Sequence, residues 1–233
     1  MRIGPLLAVV ALLSGTACAR QAPSCDVPAQ LPLAELEGPS SDSPRRLSPI
    51  GGYTLAVSWS PQYCASRMSS PKARLQCSGL MGEFGFILHG LWPEGQEAQR
   101  PQYCKPTRLV PDKVVREQLC ATPSVQLLQH EWEKHGTCMA KTPAEYFARA
   151  RSLYAQLGFP EGAELRGHSM TVAQFKEAFA RANPGMRAEE FRVDISRDGW
   201  LEAVQICLDK NFHRRICPAR QRGPAEGRVM RIR

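Results

Sequence analysis

The sequence predicts an α+β fold in which helices flank a central antiparallel sheet and four disulfides join distant parts of the chain. Some stretches have alternating apolar residues, which are typical of strands, and others have the apolar spacing of helices. Their order along the chain lacks the regular strand–helix–strand alternation of a parallel sheet. The 233 residues are enough for one domain with a full core. Eight of the nine cysteines follow residue 19, an even number that predicts four disulfides in an exported chain.

Residues 1–19 have the composition of a signal peptide. Met1-Arg2 supplies a positive charge, Leu6 to Leu13 is an apolar stretch, and Ala17-Cys18-Ala19 offers small residues for cleavage. The apolar stretch is too short to span a membrane, and no other stretch is long and apolar enough to do so. We therefore expect an exported protein, periplasmic or extracellular, and the lack of an N-glycosylation site favours the periplasm.

Residues 20–50 are rich in proline and serine without periodicity, which predicts a loose N-terminal arm tied down at Cys25. Residues 53–59 alternate between larger apolar and smaller side chains and predict a half-buried strand. The apolar run 84–88 predicts a central strand whose C-terminal end carries His89 to a surface.

Apolar spacing and capping residues predict four helices. Ser124 is a candidate N-cap of the helix that contains residues 130–135, and Gly136 is expected to end this helix in a left-handed conformation. Thr142 precedes a proline at the first helical position, and Thr171 begins the last helix. The predicted helices span about 111–119, 124–136, 143–157 and 171–181.

Residues 190–195 and 200–208 alternate as two further strands joined by the turn 197–199. The main domain is expected over 51–217, and residues 218–233 are expected to be a basic tail that aids solubility or frays. The formal net charge of +8 suits an exported protein that meets nucleic acid, an anionic envelope or an acidic polysaccharide.

The segment His130-Glu131-Trp132-Glu133-Lys134-His135-Gly136-Thr137-Cys138 is the most informative part of the sequence. At about 100° per residue, an ideal helix places four of its groups on one polar face. These are His130, Glu131, Lys134 and His135. Trp132 is expected to point into the core and Glu133 into water. Two imidazoles, a carboxylate and an ammonium on one surface indicate a catalytic face.

The residues of the chain argue against three other kinds of catalytic site, namely a zinc site, a serine nucleophile and a cysteine nucleophile. A zinc-binding H-E-x-x-H helix has its histidines four apart, whereas His130 and His135 are five apart, or about 140° on an ideal helix. Lys134 would also place a cation beside the metal. The chain has no G-x-S-x-G nucleophile elbow, and its cysteines are expected in disulfides.

Acid–base chemistry at an anionic centre remains. Two histidines can act as base and acid, while Lys134 and a further cationic histidine can hold the charge of a pentavalent phosphorane. RNA transesterification requires these groups: a base takes the 2′-OH proton, that oxygen attacks the adjacent phosphorus, and an acid protonates the departing 5′-oxygen. The nucleophile belongs to the substrate, so we expect no metal and no cofactor.

Two segments together resemble the active-site segments of the ribonuclease T2 family of secreted acid endoribonucleases. They are Phe86-Ile87-Leu88-His89-Gly90-Leu91-Trp92-Pro93 and the segment 130–138, and looser similarity extends over residues 50–217. The resemblance implies His135 as general base and His89 as general acid, with the two roles reversed when a 2′,3′-cyclic phosphate is hydrolysed. It also implies that His130 contacts the phosphate, and that Glu131 and Lys134 stabilise the pentavalent state.

The resemblance leaves the base-binding residues open. Trp92 either stacks on a base or packs in the core, and Glu94 is either a hydrogen-bond partner of that base or an exposed loop carboxylate. Ser58 stands where many plant members have glutamine, and the residues before His130 are not aromatic, so base preference is not transferred.

The resemblance also implies a disulfide pattern. It joins Cys77 to Cys120, Cys104 to Cys138 and Cys207 to Cys217, and it leaves Cys25 with Cys64.

The sequence therefore predicts an exported, metal-independent endoribonuclease of low base specificity that acts on single-stranded RNA. Its products are expected to be 2′,3′-cyclic phosphates and then 3′-phosphates. We expect a monomer whose partner is the RNA substrate. The alternatives are a secreted, non-catalytic RNA-binding or toxin-like protein of the same fold and, third, a zinc hydrolase.

Overall fold

Strands of two sheets form the framework of the computed structural model, which describes residues 24–97 and 99–233. The strands are β1 (Ile50–Trp59), β2 (Phe86–Gly95), β3 (Ser169–Thr171), β4 (Phe191–Ile195), β5 (Leu201–Leu208) and β6 (Val229–Arg231). The larger sheet has the order β2-β1-β5-β4, with every neighbouring pair antiparallel, and β3 pairs with β6. With the helices and the four disulfides, this architecture confirms the predicted α+β class. The predicted signal peptide, residues 1–19, lies outside the described residues.

Seven α-helices occur in the described part of the chain. They are α1 (Ser60–Cys64), α2 (Arg74–Cys77), α3 (Asp112–Gln118), α4 (Val125–Lys134), α5 (Pro143–Ala155), α6 (Gly162–Leu165) and α7 (Val172–Arg181). The four longest are those predicted from the sequence. Among these residues, no helix has the length and apolar character needed to cross a membrane.

The capping residues explain where the longer helices begin. The side chains of Ser124 and Thr142 each accept a hydrogen bond from the main-chain N–H three residues ahead, at the starts of α4 and α5. Thr171 and Gln174 form a reciprocal capping box at the start of α7. These local signals confirm the predicted helix starts.

Aromatic packing fixes the start of β2. Phe86 stacks with Phe159 at a centroid distance of 5.1 Å and contacts Phe175 of α7 at 6.3 Å. The hydroxyl of Tyr154, from α5, donates to the carbonyl of Phe86 at 2.7 Å. Because this end of β2 is held in the core, the residues that follow it along the strand have a defined position.

The N-terminal arm has little regular structure between residues 24 and 49, but it is not loose. Cys25 is bonded to Cys120, and Arg46 forms an isolated antiparallel bridge with Gln102. Between these points the arm crosses α4, where Glu35 and the side chain of Gln126 exchange hydrogen bonds of 2.8 and 3.0 Å. The arm is therefore anchored to the domain.

Two of the four implied disulfide pairings are wrong. Cys104–Cys138 and Cys207–Cys217 are present, whereas Cys77 is bonded to Cys64 and Cys120 to Cys25. The physical reason is packing. Cys64 and Cys77 end the two short helices α1 and α2, which lie side by side with these Cα atoms 5.4 Å apart, and the arm brings Cys25 to 5.3 Å from Cys120.

The expectation of a frayed basic tail is also wrong. Residues 229–231 form β6, and Met230 and Ile232 are fully buried. The indole N–H of Trp59 donates to the carbonyl of Arg233 at 3.2 Å. Met230 and Ile232 alternate with Arg231 and Arg233. The strand therefore buries its two apolar side chains while its arginines stay in contact with solvent.

Candidate active site

His89 lies within β2, at an irregularity in the pairing of β1 with β2. The expectation of a central strand that ends at His89 is wrong, because β2 is an edge strand whose pairing with β1 continues to Gly95. Ala56 pairs with Gly90 and Val57 pairs with Leu88, which leaves His89 as the extra residue of a β-bulge. A bulge bends its strand and changes the direction of a side chain, and bulges are common beside active sites. The His89 side chain is 34% exposed.

Contacts at both nitrogens hold the His89 ring. Its Nδ1 lies 2.9 Å from Oγ of Ser58, on the neighbouring strand, and its Nε2 lies 3.4 Å from Oε1 of Glu131. The ring therefore spans the space between the sheet and α4.

Helix α4 ends at Lys134, and this end determines where His135 lies. His135 is the C-cap residue with φ −114° and ψ −48°, and residues 136–138 continue as a 3₁₀ turn. The ideal-helix angle between the two histidines no longer applies, and the ring centroids of His130 and His135 are 6.4 Å apart. One ligand atom each from His130, Glu131 and His135 lie within 4.8 Å of one another. The histidine spacing therefore does not by itself exclude a metal ion shared by these residues.

Gly136 has a packing role and not the predicted left-handed role. It is absent from the glycines with positive φ. A Cβ atom at this position would lie 2.4 Å from Cε3 of Trp132 and 3.0 Å from Cγ of Tyr146. The chain needs glycine here because the turn after α4 presses against two aromatic rings.

Glu131 is the buried centre of the site, with 1% of its surface exposed. Its Oε2 accepts hydrogen bonds from the indole N–H of Trp92 at 2.9 Å and from the hydroxyl of Tyr146 at 3.3 Å. Its Oε1 has no hydrogen-bond partner among the described residues and faces Nε2 of His89. Burial raises the pKa of Glu131, but the interactions with His135 and His89 outweigh it, so the pKa lies below its ordinary value. The carboxylate is an anion fixed between two histidines.

Gly90 makes room for this carboxylate. A Cβ atom at residue 90 would lie 1.8 Å from Oε2 of Glu131 and 3.1 Å from Nε1 of Trp92. The backbone of β2 passes close to the carboxylate at this point. Any residue other than glycine at position 90 would place its Cβ atom in collision with Glu131.

His135 is buried, with 5% of its surface exposed. Burial lowers its pKa to about 3, the charges of Lys134, His130 and Arg100 act in the same direction, and Glu131 opposes them. Its Nδ1 has no hydrogen-bond partner among the described residues. His135 is therefore neutral near pH 7.

His130 and Lys134 lie on the more open side of α4. The Nδ1 atom of His130 contacts Oε2 of Glu37, a residue of the arm. Lys134 is partly buried and forms no ion pair with any described residue. Its charge lowers the pKa values of Glu37 and His135, which places the ammonium near both groups.

Trp92 belongs to the site and not to the core. It is partly exposed, and its ring centroid lies 5.3 Å from that of His89 and 5.6 Å from that of His135. The guanidinium carbon of Arg100 lies 5.0 Å from the ring centroid. The indole thus touches both proposed acid–base residues.

Glu94 is buried, so the expectation of an exposed loop carboxylate is wrong, and both of its oxygens bond to neighbouring side chains. Oε1 accepts from the hydroxyl of Thr54 at 2.5 Å and lies 2.7 Å from Nη2 of Arg100, while Oε2 accepts from Nε of Arg100 at 3.0 Å. Glu94 therefore holds Arg100 over Trp92.

Trp132 is buried, as predicted, but the expectation that Glu133 points into water is wrong. Oε1 of Glu133 accepts from Gln129 at 2.5 Å, and its Oε2 accepts from the main-chain N–H groups of Glu37 and Gly38 at 3.1 and 3.0 Å. The arm covers this side of α4 and buries the carboxylate.

The structure brings together all five residues expected to be catalytic, His89, His130, Glu131, Lys134 and His135. Glu37, Ser58 and Tyr146 contact members of this group, and Arg100 lies over Trp92, but none of the four was predicted as a site residue. Only Ser58 carried a signal, because it stands beside the strand residue Trp59 and on the edge facing β2. Glu37 lies 93 residues before His130, and Arg100 and Tyr146 stand in nearer stretches that carry no motif.

The family assignment rests on the sequence profile of the Ribonuclease T2 family, which matches residues 50–217. The chain belongs to the Ribonuclease T2 family. Within this family, a probable ribonuclease from Haemophilus influenzae is 35% identical over 189 residues, which cover 74% of this chain and 63% of that protein. A ribonuclease from Aeromonas hydrophila is 42% identical over 101 residues, 43% of each chain. The matched parts thus span less than two thirds of each of these relatives.

Solved structures show the same family fold. Trichomaglin, an S-like ribonuclease, superposes with a TM-score of 0.63 at 20% identity, covering 78% of this chain and 97% of its own. A variant of RNase MC1 in complex with 5′-UMP superposes with a TM-score of 0.57 at 20% identity, covering 78% of this chain and 98% of its own. The family match begins at residue 50, so the N-terminal arm lies outside it.

Proposed function

We propose that this chain is an exported endoribonuclease that cleaves single-stranded RNA without a metal ion, through a 2′,3′-cyclic phosphate. One observation carries the proposal. His89 and His135 come from different elements, and both lie around the buried carboxylate of Glu131 and against the ring of Trp92. Two imidazoles placed in this way can serve the two ends of an in-line displacement at phosphorus.

In the first step His135 is the general base. It removes the proton of the ribose 2′-OH, the 2′-oxygen attacks the adjacent phosphorus, and the bond to the 5′-oxygen breaks as His89 donates a proton to it. Two features support this direction: burial keeps His135 neutral, and His89 is the more exposed of the two, where a departing strand can leave.

In the second step the roles reverse. His89 takes a proton from water, the hydroxide oxygen attacks the cyclic phosphate, and the 2′-oxygen leaves with the proton held by His135, giving a 3′-phosphate. His130 and Lys134 supply positive charge to the pentavalent phosphorus in both steps. Glu131 balances this charge and keeps His89 in place.

Low base specificity follows from the surface offered to the bases. Trp92 and Arg100 present a ring and a planar cation, and both stack on any base at about 1–3 kcal/mol per base. Glu94 supports this surface through Arg100, to which both of its oxygens bond.

Export to the periplasm or the medium is supported by the signal-like composition of residues 1–19 and by disulfides, which persist in oxidising compartments. We propose that the enzyme acts as a monomer, since all five site residues come from one chain.

A metal-dependent hydrolase is the second candidate, because ligand atoms of His130, Glu131 and His135 lie within 4.8 Å of one another. Two features weigh against it. Oε2 of Glu131 already accepts two hydrogen bonds, and Lys134 brings a competing positive charge. A non-catalytic RNA-binding protein is the third candidate, and only an activity measurement separates it from an enzyme.

The test is cleavage of single-stranded RNA by the oxidised protein in excess EDTA, with the products identified by mass spectrometry. We expect undiminished cleavage and products that end in 2′,3′-cyclic phosphate and later in 3′-phosphate. Cleavage that stops in EDTA and returns with zinc supports the hydrolase, and binding without cleavage supports the non-catalytic protein.

Histidine variants show whether the measured cleavage comes from this protein or from a contaminating nuclease. His89→Ala and His135→Ala are each expected to lower turnover by at least about 10²-fold. His213→Ala, at an exposed histidine beside Asp209, should cleave like the parent protein.

A further inference from the structure

The N-terminal arm brings one charged group to the site, and this group lies outside the stretch that matches the family. Glu37 directs Oε2 to Nδ1 of His130. The family match begins at residue 50, so no motif of the family predicts this contact.

Both oxygens of the Glu37 carboxylate are engaged. Oε1 accepts a hydrogen bond from Nε2 of Gln126 at 2.8 Å, and Oε2 contacts the imidazole. Gln126 and His130 lie one helical turn apart on α4, so the carboxylate bridges two successive turns of the same helix.

The main chain around Glu37 is held to the same helix. The N–H groups of Glu37 and Gly38 both donate to Oε2 of Glu133, and Gly38 takes a positive φ of 64° that turns the chain back from α4. Farther along the arm, the Cys25–Cys120 disulfide and the bridge between Arg46 and Gln102 fix its two ends. An exposed ion pair between two mobile side chains contributes little to stability, because both side chains lose conformational freedom when it forms. Here the backbone of Glu37 is already ordered by its bonds to Glu133, so less freedom is lost.

The electrostatics agree with this geometry. Burial raises the pKa of the Glu37 carboxyl, but hydrogen bonds from His130 and Gln126 and the charges of His130 and Lys134 lower it below the ordinary value. Glu37 is therefore an anion at neutral pH.

We propose that Glu37 is a positioning residue for His130: its carboxylate occupies Nδ1 and leaves Nε2 as the only ring nitrogen that can contact an RNA phosphate. This inference rests on the proposed function, in which His130 binds the phosphate. A carboxylate acceptor keeps a hydrogen on Nδ1 and fixes the ring plane at the same time. In the cationic ring that binds phosphate, Nε2 carries the second hydrogen and donates it to a phosphate oxygen. The arm is thus part of the site.

The experiment compares Glu37→Gln and Glu37→Ala with the parent protein and with Glu35→Gln. Glu35 is the matched control, because it is an exposed glutamate of the same arm that contacts Gln126 through its main chain. Each protein is labelled with ¹⁵N-histidine, and the ring nitrogens of His130 are followed by NMR while inorganic phosphate is added. Thermal unfolding reports whether each variant is folded.

We expect the parent protein and Glu35→Gln to show hydrogen on Nδ1 and a phosphate-dependent shift at Nε2. Glu37→Ala should show a mixture of the two ring forms, bind phosphate about tenfold more weakly and lose about tenfold in kcat/KM on a dinucleotide substrate. Glu37→Gln should lie between them, because its amide oxygen can still accept from Nδ1.

Unchanged ring forms and unchanged phosphate affinity in folded Glu37→Ala would overturn the proposal. Tighter phosphate binding or faster cleavage by Glu37→Ala would also overturn the proposal, since either result would identify Glu37 as an inhibitory anion. The ring signals and the phosphate titration do not depend on RNA cleavage. A protein that fails to cleave RNA therefore refutes the proposed function without deciding the role of Glu37.

Discussion

The indole N–H of Trp92 donates to Oε2 of Glu131 at 2.9 Å, which joins the strand carrying His89 to the helix carrying His130. The carboxylate is buried and charged, so this bond both satisfies it and sets the spacing of the two elements.

We expect Trp92→Phe to lower the free energy of unfolding by about 1–3 kcal/mol, because a buried carboxylate loses one of its donors. Urea unfolding measures this loss, and steady-state cleavage should show a parallel fall in kcat/KM. Trp200→Phe provides the control: it makes the same substitution at an indole flanked by Arg231 and Arg233, away from the site. Equal losses in both variants would contradict a special role for the Trp92 N–H.

We expect Gly90→Ala to impair activity by at least about 10²-fold in a protein that still folds. The added Cβ would lie 1.8 Å from Oε2 of Glu131, so the carboxylate or the strand must shift. Gly162→Ala is the matched control, because the nearest atom to its added Cβ is Nε of Arg166 at 3.9 Å. Circular dichroism and turnover, measured together, separate loss of the site from loss of the fold.

Ser58→Ala should lower kcat about tenfold, because Nδ1 of His89 loses its partner and the ring gains freedom. KM should change little, since Ser58 acts through His89. The control is Ser169→Ala, an exposed strand serine in β3. A rise in KM with constant kcat would show instead that Ser58 contacts the substrate.

Stability should fall as the pH falls from 6.5 to 3, and His135 should be one cause. The folded pKa of His135 is about 3, below the ordinary 6.5, so in this range the unfolded chain binds one more proton at this position. The free energy of unfolding then falls by about 1.4 kcal/mol per pH unit from this group alone. Above pH 6.5 the histidine is neutral in both states and adds no pH dependence.

Urea unfolding between pH 3.5 and 6.5 measures this slope. His135→Gln should reduce it by about 1.4 kcal/mol per pH unit, since glutamine does not titrate. Glu131 acts in the same sense at lower pH, because its lowered pKa adds stability above the ordinary 4.5 that is lost on acidification. His213→Gln, at an exposed histidine, controls for the substitution itself. An unchanged slope in His135→Gln would mean that the buried imidazole does not resist protonation.

Features with local causes were predictable from the sequence. The starts of α4, α5 and α7 follow from Ser124, Thr142 and Thr171, whose side chains bond to main-chain groups only three residues away. Strands β1, β4 and β5 were visible as two-residue alternation and β2 as an apolar run, whereas β3 and β6 were not predicted. The two active-site segments were each contiguous.

Features with long-range causes were not predictable. The partners of Cys25 and Cys64 depend on how the arm and two short helices pack, which no spacing encodes. Glu37 is 93 residues from His130. The histidine geometry failed for a different reason, because α4 ends one residue before His135 and the ideal-helix angle stops there.

The anchoring of the arm has a practical consequence for shortened versions of this protein. A chain that began at residue 50 would retain both active-site segments and all of the family-matched sequence. It would nevertheless leave Cys120 as an unpaired thiol and would strip Glu133 and His130 of their partners on the arm. We therefore expect the smallest active unit to extend upstream of the family boundary, at least to Cys25.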